Sequence, residues 1–153
     1  MIKTKSGFTI VELLIVIVVI GILAAITIVA YNGIQNRAIM ARSLSELASI
    51  NNVLQLYNAE EGSYPTTNGV WFYSGSRPTD YVPGLVPAYI NALPKNTVEG
   101  DYLYLSNGVN YKIMAHNGKY RELCPQVKAA HPEMVPNRDC WAYGYYSPGG
   151  KLF

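Results

Sequence analysis

One uninterrupted apolar segment lies close to the N-terminus, and it restricts the possible folds of this chain more than any other feature. Between Phe8 and Tyr31 the only acidic or basic side chain is Glu12. A helix of this length would extend roughly 36 Å, which exceeds the hydrocarbon core of a bilayer, about 30 Å. The segment therefore predicts a membrane-spanning helix over residues 8–31.

The carboxylate of Glu12 is unusual in such a helix. A charged side chain costs roughly 2.5–3.5 kcal/mol at the centre of a membrane-spanning helix, and less near its ends. An acid in this place is therefore expected to have a function and a cationic partner. The alternative is that Glu12 extends towards the lipid headgroups, as a long polar side chain near a helix end can do.

A short basic segment precedes the apolar run and contains Lys3, Lys5 and Gly7. An ordinary secretory signal has an apolar stretch of about 7–15 residues, followed by a small-residue cleavage site. Here the stretch is longer and Gly7 precedes it, so cleavage after Gly7 would remove residues 1–7 and leave the apolar helix on the protein. The basic start favours a cytoplasmic N-terminus and an exported C-terminal part.

The helical pattern continues beyond the membrane segment. Apolar residues keep a helical spacing among polar ones, no proline interrupts residues 8–60, and Gly62 and Pro65 provide stop signals. We therefore predict one long helix whose second half, residues 32–61, is amphipathic. The apolar positions of that half are Ile34, Ala38, Ala41, Leu44, Leu47, Ala48, Leu54 and Tyr57.

Residues 102–124 carry the clearest strand signals. Two pairs, Asn107-Gly108 and Asn117-Gly118, separate strand-like runs. Asn-Gly favours a tight hairpin turn because both residues tolerate positive φ, so we predict a three-stranded antiparallel meander. One face of it is expected to pack on the amphipathic half of the helix, and the residues of that face are Leu103, Leu105, Val109, Tyr111, Ile113, Tyr120 and Leu123.

Less regular segments are predicted on both sides of the meander. Residues 62–101 are interrupted by proline and glycine and form a long loop, and residues 125–153 close the domain, with a possible fourth strand near Trp141. Cys124 and Cys140 lie in the part expected to be exported, which favours one disulfide worth about 3 kcal/mol. Two free or metal-bound thiols are the alternative. The predicted fold is α+β, with the long helix packed on a small antiparallel sheet of three to four strands.

The charges of the chain are nearly balanced. It has 12 basic and 10 acidic residues, and loss of residues 1–7 would remove two lysines and leave equal numbers. A neutral chain does not favour general electrostatic binding of nucleic acid. Lys112, Lys119 and Arg121 would lie together on the meander, where a solvated face explains them more simply than a nucleic-acid contact, which stays as the alternative.

The sequence gives little support to catalysis. It has no glycine-rich phosphate loop and no nucleophile elbow. Its two histidines, His116 and His131, have no nearby cysteine or carboxylate at metal-ligand spacing. We predict no enzymatic activity, no cofactor and no metal site.

The start of the apolar run resembles the class III signal of type IV pilins and of pseudopilins, their relatives in secretion systems; the matching residues are SGFTIVELLIV, 6–16. The resemblance implies that a prepilin peptidase cuts between Gly7 and Phe8 and methylates the new amine of Phe8. It also implies that Glu12 pairs with the N-terminal amine of a neighbouring subunit during assembly. Related pilins often unwind part of this helix in the filament, and Gly21 is the expected start, although the proline that many members carry is absent here.

The resemblance implies a prepilin, the structural subunit of a type IV pilus that supports adhesion, twitching motility or DNA uptake. Its partners would be copies of itself, minor pilins, the prepilin peptidase and methyltransferase, and the pilus assembly platform with its ATPases. The chain would cross the cytoplasmic membrane once, with its N-terminus inside, before it joins an extracellular filament.

Two alternatives remain open. The first is a pseudopilin of a type II secretion or competence system, which the loop spacing favours, whereas the disulfide-closed C-terminal segment favours a pilin. The second is a membrane-tethered enzyme or binding domain that uses the helix only as an anchor. Some secretion pseudopilins bind calcium in the region of Asn96, Glu99 and Asp101, but the residues here do not match a dense cage of oxygen ligands.

Overall fold

The computed structural model describes residues 7–95, 97–136 and 139–152, so the predicted leader lies outside the described residues except for Gly7. The chain divides into two compact units, residues 1–38 and 39–153. In chain order the elements are helix α1 (Ile10–Glu61), strand β1 (Phe72–Tyr73), strand β2 (Asp101–Ser106), strand β3 (Tyr111–His116), helix α2 (Gly118–Ala130), a 3-10 turn (Pro132–Met134), strand β4 (Ala142–Tyr146) and a second 3-10 turn (Pro148–Leu152).

The described part of the first unit is the N-terminal portion of α1, and its apolar side chains are exposed. Leu14 is 55% exposed and Val19, among the least exposed, is still 48% exposed. α1 is the one helix in the described ranges that is long and apolar enough to cross a membrane. The uninterrupted helix that the sequence predicts is confirmed, and its two halves belong to different units.

The second unit is built around a four-stranded antiparallel sheet in the order β1-β2-β3-β4. The C-terminal half of α1 contributes Leu47, Ile50 and Leu54, each fully buried in one core with one face of the sheet. Gly62, with φ of 73°, ends α1, and its amide donates to the Asn58 carbonyl oxygen at 3.0 Å. The α+β fold of a helix packed on an antiparallel sheet is therefore confirmed.

The third strand of the predicted meander is wrong, because the residues after Asn117-Gly118 form α2. Both residues have positive φ, 64° and 47°, as an Asn-Gly turn requires, but the chain then continues as a helix. The buried side chains of α2 recur at helical spacing, and they are Tyr120, Leu123, Cys124 and Val127. The helical spacing of these buried side chains therefore determined the structure of this segment, and the turn signal before it did not lead to a third strand.

The first Asn-Gly pair lies in a hairpin, but the connection is longer than predicted. β2 ends at Ser106 and β3 begins at Tyr111, and these two residues pair with each other. Residues 107–110 therefore form the turn. The Asn107 side-chain oxygen accepts the amides of Val109 and Asn110 at 3.0 and 2.8 Å. Because the side chain of Asn107 organises this wider turn, β3 begins two residues later than the pattern indicated.

The predicted helix-facing surface of the sheet is only partly correct. On β2 it is Tyr102 and Tyr104 that join the core with α1, whereas Leu103 packs on the opposite face with Met114 and Ala142. Val109 is 76% exposed in the turn, instead of packed on the helix. Two further strand segments complete the sheet: β1, which lies within the predicted loop, and β4, whose position the sequence indicated.

Candidate functional site

The predicted docking residue, Glu12, caps the first turn of α1 in its own chain. Its Oε2 accepts the Thr9 backbone amide at 2.8 Å and the Thr9 hydroxyl at 2.7 Å. In return, the Glu12 amide donates to Thr9 Oγ1 at 3.2 Å. These reciprocal bonds form a capping box, which satisfies two of the amides that a helix start leaves without intrahelical partners.

This arrangement leaves Glu12 able to accept a further donor. Both bonds from Thr9 reach Oε2, and the other carboxylate oxygen accepts no hydrogen bond from another residue that the structure describes, on an exposed helix surface. The capping box also restricts the side chain to one position, which lowers the ordering cost of a new ion pair. The geometry therefore presents a fixed carboxylate within the first turn of the helix, close to the predicted new N-terminus at Phe8.

The other predicted N-terminal residues are accessible. Phe8 is 87% exposed, and a Cβ added at Gly7 would meet no atom within 4 Å. Gly21 lies inside a continuous helix with open space around it. Unwinding from Gly21 in an assembled filament therefore stays a prediction.

The second unit, residues 39–153, contains a polar network that the sequence did not reveal. The Arg42 guanidinium lies 3.1 Å from Glu99 Oε2, 3.7 Å from Glu46 Oε1 and 3.4 Å from the Tyr120 hydroxyl. The Tyr102 hydroxyl donates to Glu46 Oε2 and lies 3.2 Å from the Tyr120 hydroxyl. This Arg42 network joins α1, β2, α2 and the turn before β2.

The electrostatics of the network follow from its partners. The hydrogen bond with Tyr120 and then the one with Glu99 raise the pKa of Arg42 above its ordinary value. Burial, followed by the bond to Glu46, raises the pKa of Tyr102 far above its ordinary value, so the phenol stays protonated. The Thr97 hydroxyl, with a smaller part from Arg42, lowers the pKa of Glu99. The one sequence signal for this network was the i,i+4 spacing of Arg42 and Glu46.

The two cysteines are joined in a disulfide. The Cα atoms of Cys124 and Cys140 are 5.6 Å apart, within the usual range for such a bond. The bond ties α2 to the residue that precedes Trp141 and strand β4. It therefore fixes the element that replaces the third predicted strand.

The structure places the lysines considered for a nucleic-acid contact on different elements, and it adds no support for a calcium loop, which the sequence did not favour. Lys112 is 5% exposed on β3, whereas Lys119 lies on α2 and contacts Glu122 at 2.8 Å. Asn96 lies outside the described residues, and Glu99 is engaged by Arg42. Within the described ranges, no group of three or more His, Cys, Asp or Glu side chains is placed to hold a metal.

Comparisons with known proteins agree with this geometry. A family model described as the prokaryotic N-terminal methylation motif matches residues 2–28. The type II secretion system core protein G of Vibrio cholerae is 31% identical over 111 residues, 69% of this chain and 74% of that protein. The chain belongs to the type IV pilin and pseudopilin family. The suspected resemblance is thereby confirmed.

Other relatives in this family carry names from both branches. The core protein G of Aeromonas hydrophila is 31% identical over 117 residues, 72% of this chain and 80% of that protein. The fimbrial protein EcpC of Eikenella corrodens is 28% identical over 116 residues, 76% of each chain. No solved structure gives a significant match. The similarity thus extends well beyond the N-terminal motif and favours the secretion branch.

Proposed function

We propose that this protein is a pseudopilin, a structural subunit of the filament of a type II secretion system. The observation that carries the proposal is similarity of about 30% to secretion core proteins over 69% or more of the chain, a share too large to be confined to the long helix. This conclusion replaces our principal sequence-based interpretation, a type IV pilus subunit, with its first alternative. Membership of the family also implies that the chain polymerises with itself and related subunits and is processed by a prepilin peptidase.

Processing would expose the group that Glu12 needs. Cleavage between Gly7 and Phe8 would create an amine at Phe8, one residue before the capping Thr9. The Phe8 amine of one copy would then bind the open carboxylate oxygen of Glu12 in another copy. Two opposite charges attract strongly in an apolar layer, and each offsets the desolvation cost of the other only when the geometry is good.

The pairing would set the axial offset of neighbouring copies. Phe8 and Glu12 are four residues apart, which corresponds to about 6 Å along a helix. A contact between the amine of one copy and the acid of the next would therefore act as a register device, as buried polar pairs do in helical assemblies. The exposed apolar side chains of residues 10–28 would then be covered by equivalent helices.

The helix would hold the subunit in the cytoplasmic membrane before assembly. We propose an inside N-terminus, with residues 32–153 exported, because the basic leader precedes the apolar run. The disulfide agrees with an oxidising compartment for that part. An assembly platform and its ATPase would supply the work of extraction from the membrane.

The processing step can be tested by mass spectrometry and N-terminal sequencing of the protein from cells that contain a prepilin peptidase. We expect a chain that starts at Phe8 and carries one N-methyl group. Gly7→Leu should leave the precursor uncut, whereas Gly69→Leu, in a distant turn, should be processed normally although its fold is strained. A mature chain that still starts at Met1 would overturn the proposal.

A type IV pilus subunit is the second candidate, and the similarity to a fimbrial protein favours it. Deletion of the gene in its own host separates the two candidates. A pseudopilin deletion should abolish release of secreted enzymes while surface filaments and twitching persist. The opposite pattern would identify a pilin.

A further inference from the structure

One apolar side chain of the exported domain is presented to solvent on a rigid support. Val98 is 99% exposed at the tip of a turn whose ends, Thr97 and Gly100, exchange two backbone hydrogen bonds of 3.1 Å. The next residue, Glu99, is held by Arg42, and its carbonyl accepts the Tyr120 amide at 3.1 Å. The turn is therefore fixed by its own ladder and by two other elements.

This tip carries no net charge, and its backbone has groups that are free to form hydrogen bonds with a partner. Arg42 neutralises Glu99, and Thr97 and Val98 are uncharged. Among the described residues, the amide and carbonyl of Val98 make no hydrogen bond, whereas those of Thr97 and Gly100 pair with each other. An exposed apolar side chain between two unpaired backbone groups is suited to a contact with a polar, uncharged groove.

Such a groove lies at the far end of the same domain. An open cleft of about 620 Å³ is formed where α1 ends, at the β2–β3 turn and at the start of the final 3-10 turn. None of the described residues that line it is charged. Tyr64, Val109 and Pro148 give it apolar surface, and Asn58 and Asn107 give it side-chain amide groups.

The amides of the cleft have bonding capacity left. Asn107 uses its side-chain oxygen within the turn, and its NH₂ group makes no hydrogen bond with another described residue. The side chain of Asn58 makes none at all within the described ranges. A bound turn with free backbone groups would satisfy both side chains.

The tip and the cleft lie at opposite ends of the helix segment that the domain packs on. The tip is tied to Arg42 and the cleft begins at Asn58, a difference of 16 residues, 58 minus 42, or about 24 Å along α1. A copy displaced by about 24 Å along this axis would bring its tip to the cleft of a copy behind it. This distance is about four times the offset of about 6 Å that the Glu12 pairing would set, so the two copies in contact are not a pair joined through Glu12 and Phe8. A heterologous contact of this kind does not close on itself and generates an open filament.

We propose that the Thr97–Gly100 turn of one copy docks in the cleft of a second copy, with Val98 against Val109 and Tyr64. The proposal rests on the proposed function, since it requires copies that polymerise with parallel helices. It adds a contact between exported domains to the pairing of Glu12 with Phe8. The side chains that face each other are uncharged, so the contact should be insensitive to salt.

Cysteine cross-linking of the full chain tests the contact. In assembled filaments, Val98→Cys combined with Val109→Cys should give a ladder of covalent multimers after treatment with a short bis-maleimide. The same chain kept monomeric in detergent should give none, because no second copy is held beside it. The native cysteines are paired and should not react.

The matched control combines Val98→Cys with Gln126→Cys, an exposed position on α2 outside the cleft. It should give no ladder. Filaments that form normally but yield no ladder with Val98 and Val109 would overturn the docking proposal and leave polymerisation intact. Failure of the unmodified chain to polymerise would overturn both proposals.

A charge exchange gives a second test that does not depend on thiol chemistry. Val98→Asp should lower the amount of sheared filament severalfold, whereas Gln126→Asp should not. Adding Val109→Lys to Val98→Asp should restore filaments by placing opposite charges across the contact, and that restored assembly should weaken at high salt. If Val98→Asp alone assembles as well as the unmodified chain, the contact does not exist.

Discussion

The two halves of α1 belong to one continuous helix but meet opposite environments. Leu14, in the first half, is 55% exposed, whereas Leu54, in the second half, is fully buried by its own domain. The second half alternates apolar with polar residues because its partner is a sheet on one side. The first half is apolar all round, which indicates partners on every side that this chain does not itself supply.

The difference shows how to separate the two kinds of burial in experiments. Substitutions in the second half should change folding of the domain, and substitutions in the first half should change the membrane and filament states only.

Glu12→Ala should abolish assembly while the second unit, residues 39–153, remains folded. The variant loses the acid proposed to bind the Phe8 amine of another copy, whereas no described hydrogen bond of the Glu12 side chain reaches beyond Thr9. Sheared filaments should be absent by electron microscopy, with the mature chain retained in membranes. Glu60→Ala, at an exposed position near the end of α1, is the control and should assemble. Normal filaments from Glu12→Gln would contradict the charge pairing.

Leu54→Ala should destabilise the second unit by about 2–5 kcal/mol, since it opens a cavity in a packed core where Leu54 is fully buried. The measurement is urea unfolding of the full chain in detergent micelles, followed by tyrosine and tryptophan fluorescence. Leu56→Ala, on the same helix but 49% exposed, should change stability by less than about 1 kcal/mol. Leu14→Ala should leave the unfolding curve unchanged, and a shift with that variant would show that the division is wrong.

Replacing Cys124 and Cys140 together by Ser should lower the stability of the domain by about 3 kcal/mol in the chain-entropy model. When a reductant is added, the thermal midpoint of the unmodified chain should fall to that of the double variant, and the midpoint of the double variant should not respond. Since the bond lies wholly within the second unit, insertion of the chain in membranes should be unaffected. Equal midpoints with and without the bond would show that packing alone holds α2.

His116 should make the domain less stable in mild acid. Burial lowers the pKa of the imidazole below its ordinary value of 6.5, with Asp101 acting against this effect and Arg121 adding to it. The unfolded chain therefore binds a proton first, so stability is constant above about pH 6.5 and declines as the pH falls below it. Urea titrations between pH 7.5 and about pH 5 should show this decline, and His116→Gln should reduce it. An unchanged slope in that variant would assign the decline to other groups.

The helix and the N-terminal site were predictable because their signals are local. Absence of proline up to residue 60, apolar periodicity and Gly62 determine α1 almost without tertiary information. Glu12 was apparent because a single acid in an apolar run is costly wherever the chain folds. The cleavage site and the role of Glu12 rest on the family motif and stay predictions until the experiments above are done.

The sheet was harder to predict because its patterns depend on contacts between distant residues. Asn117-Gly118 satisfies the dihedral requirements of a hairpin, yet its environment selects a helix start. A Cβ at Gly118 would lie 2.7 Å from the Glu99 carbonyl oxygen, so this glycine is needed for close approach of another segment. Residue preferences for turns cannot reveal this contact, because it involves a segment distant in the sequence.

The orientation of β2 was predicted wrongly for a related reason. Because leucine is more hydrophobic than tyrosine, Leu103 was predicted to face the helix, whereas Tyr102 and Tyr104 lie in the core with α1. These phenols reach partners that only the folded chain supplies: Tyr102 bonds Glu46, and Tyr104 donates to the Pro65 carbonyl at 2.8 Å. Once its hydroxyl is satisfied, a tyrosine buries as much surface as a large aliphatic residue.

Hydroxyl groups aimed at fixed acceptors give this core a directional character that hydrocarbon packing lacks. The Tyr143 hydroxyl lies 2.7 Å from Ser43 Oγ on α1, and the Tyr111 hydroxyl donates to Asn51 at 2.5 Å on the same helix. A rotation of the sheet about the helix axis would break these bonds together. The sheet should therefore have the same rotational position around this helix segment in every subunit. Identical subunits can then repeat with helical symmetry in a filament.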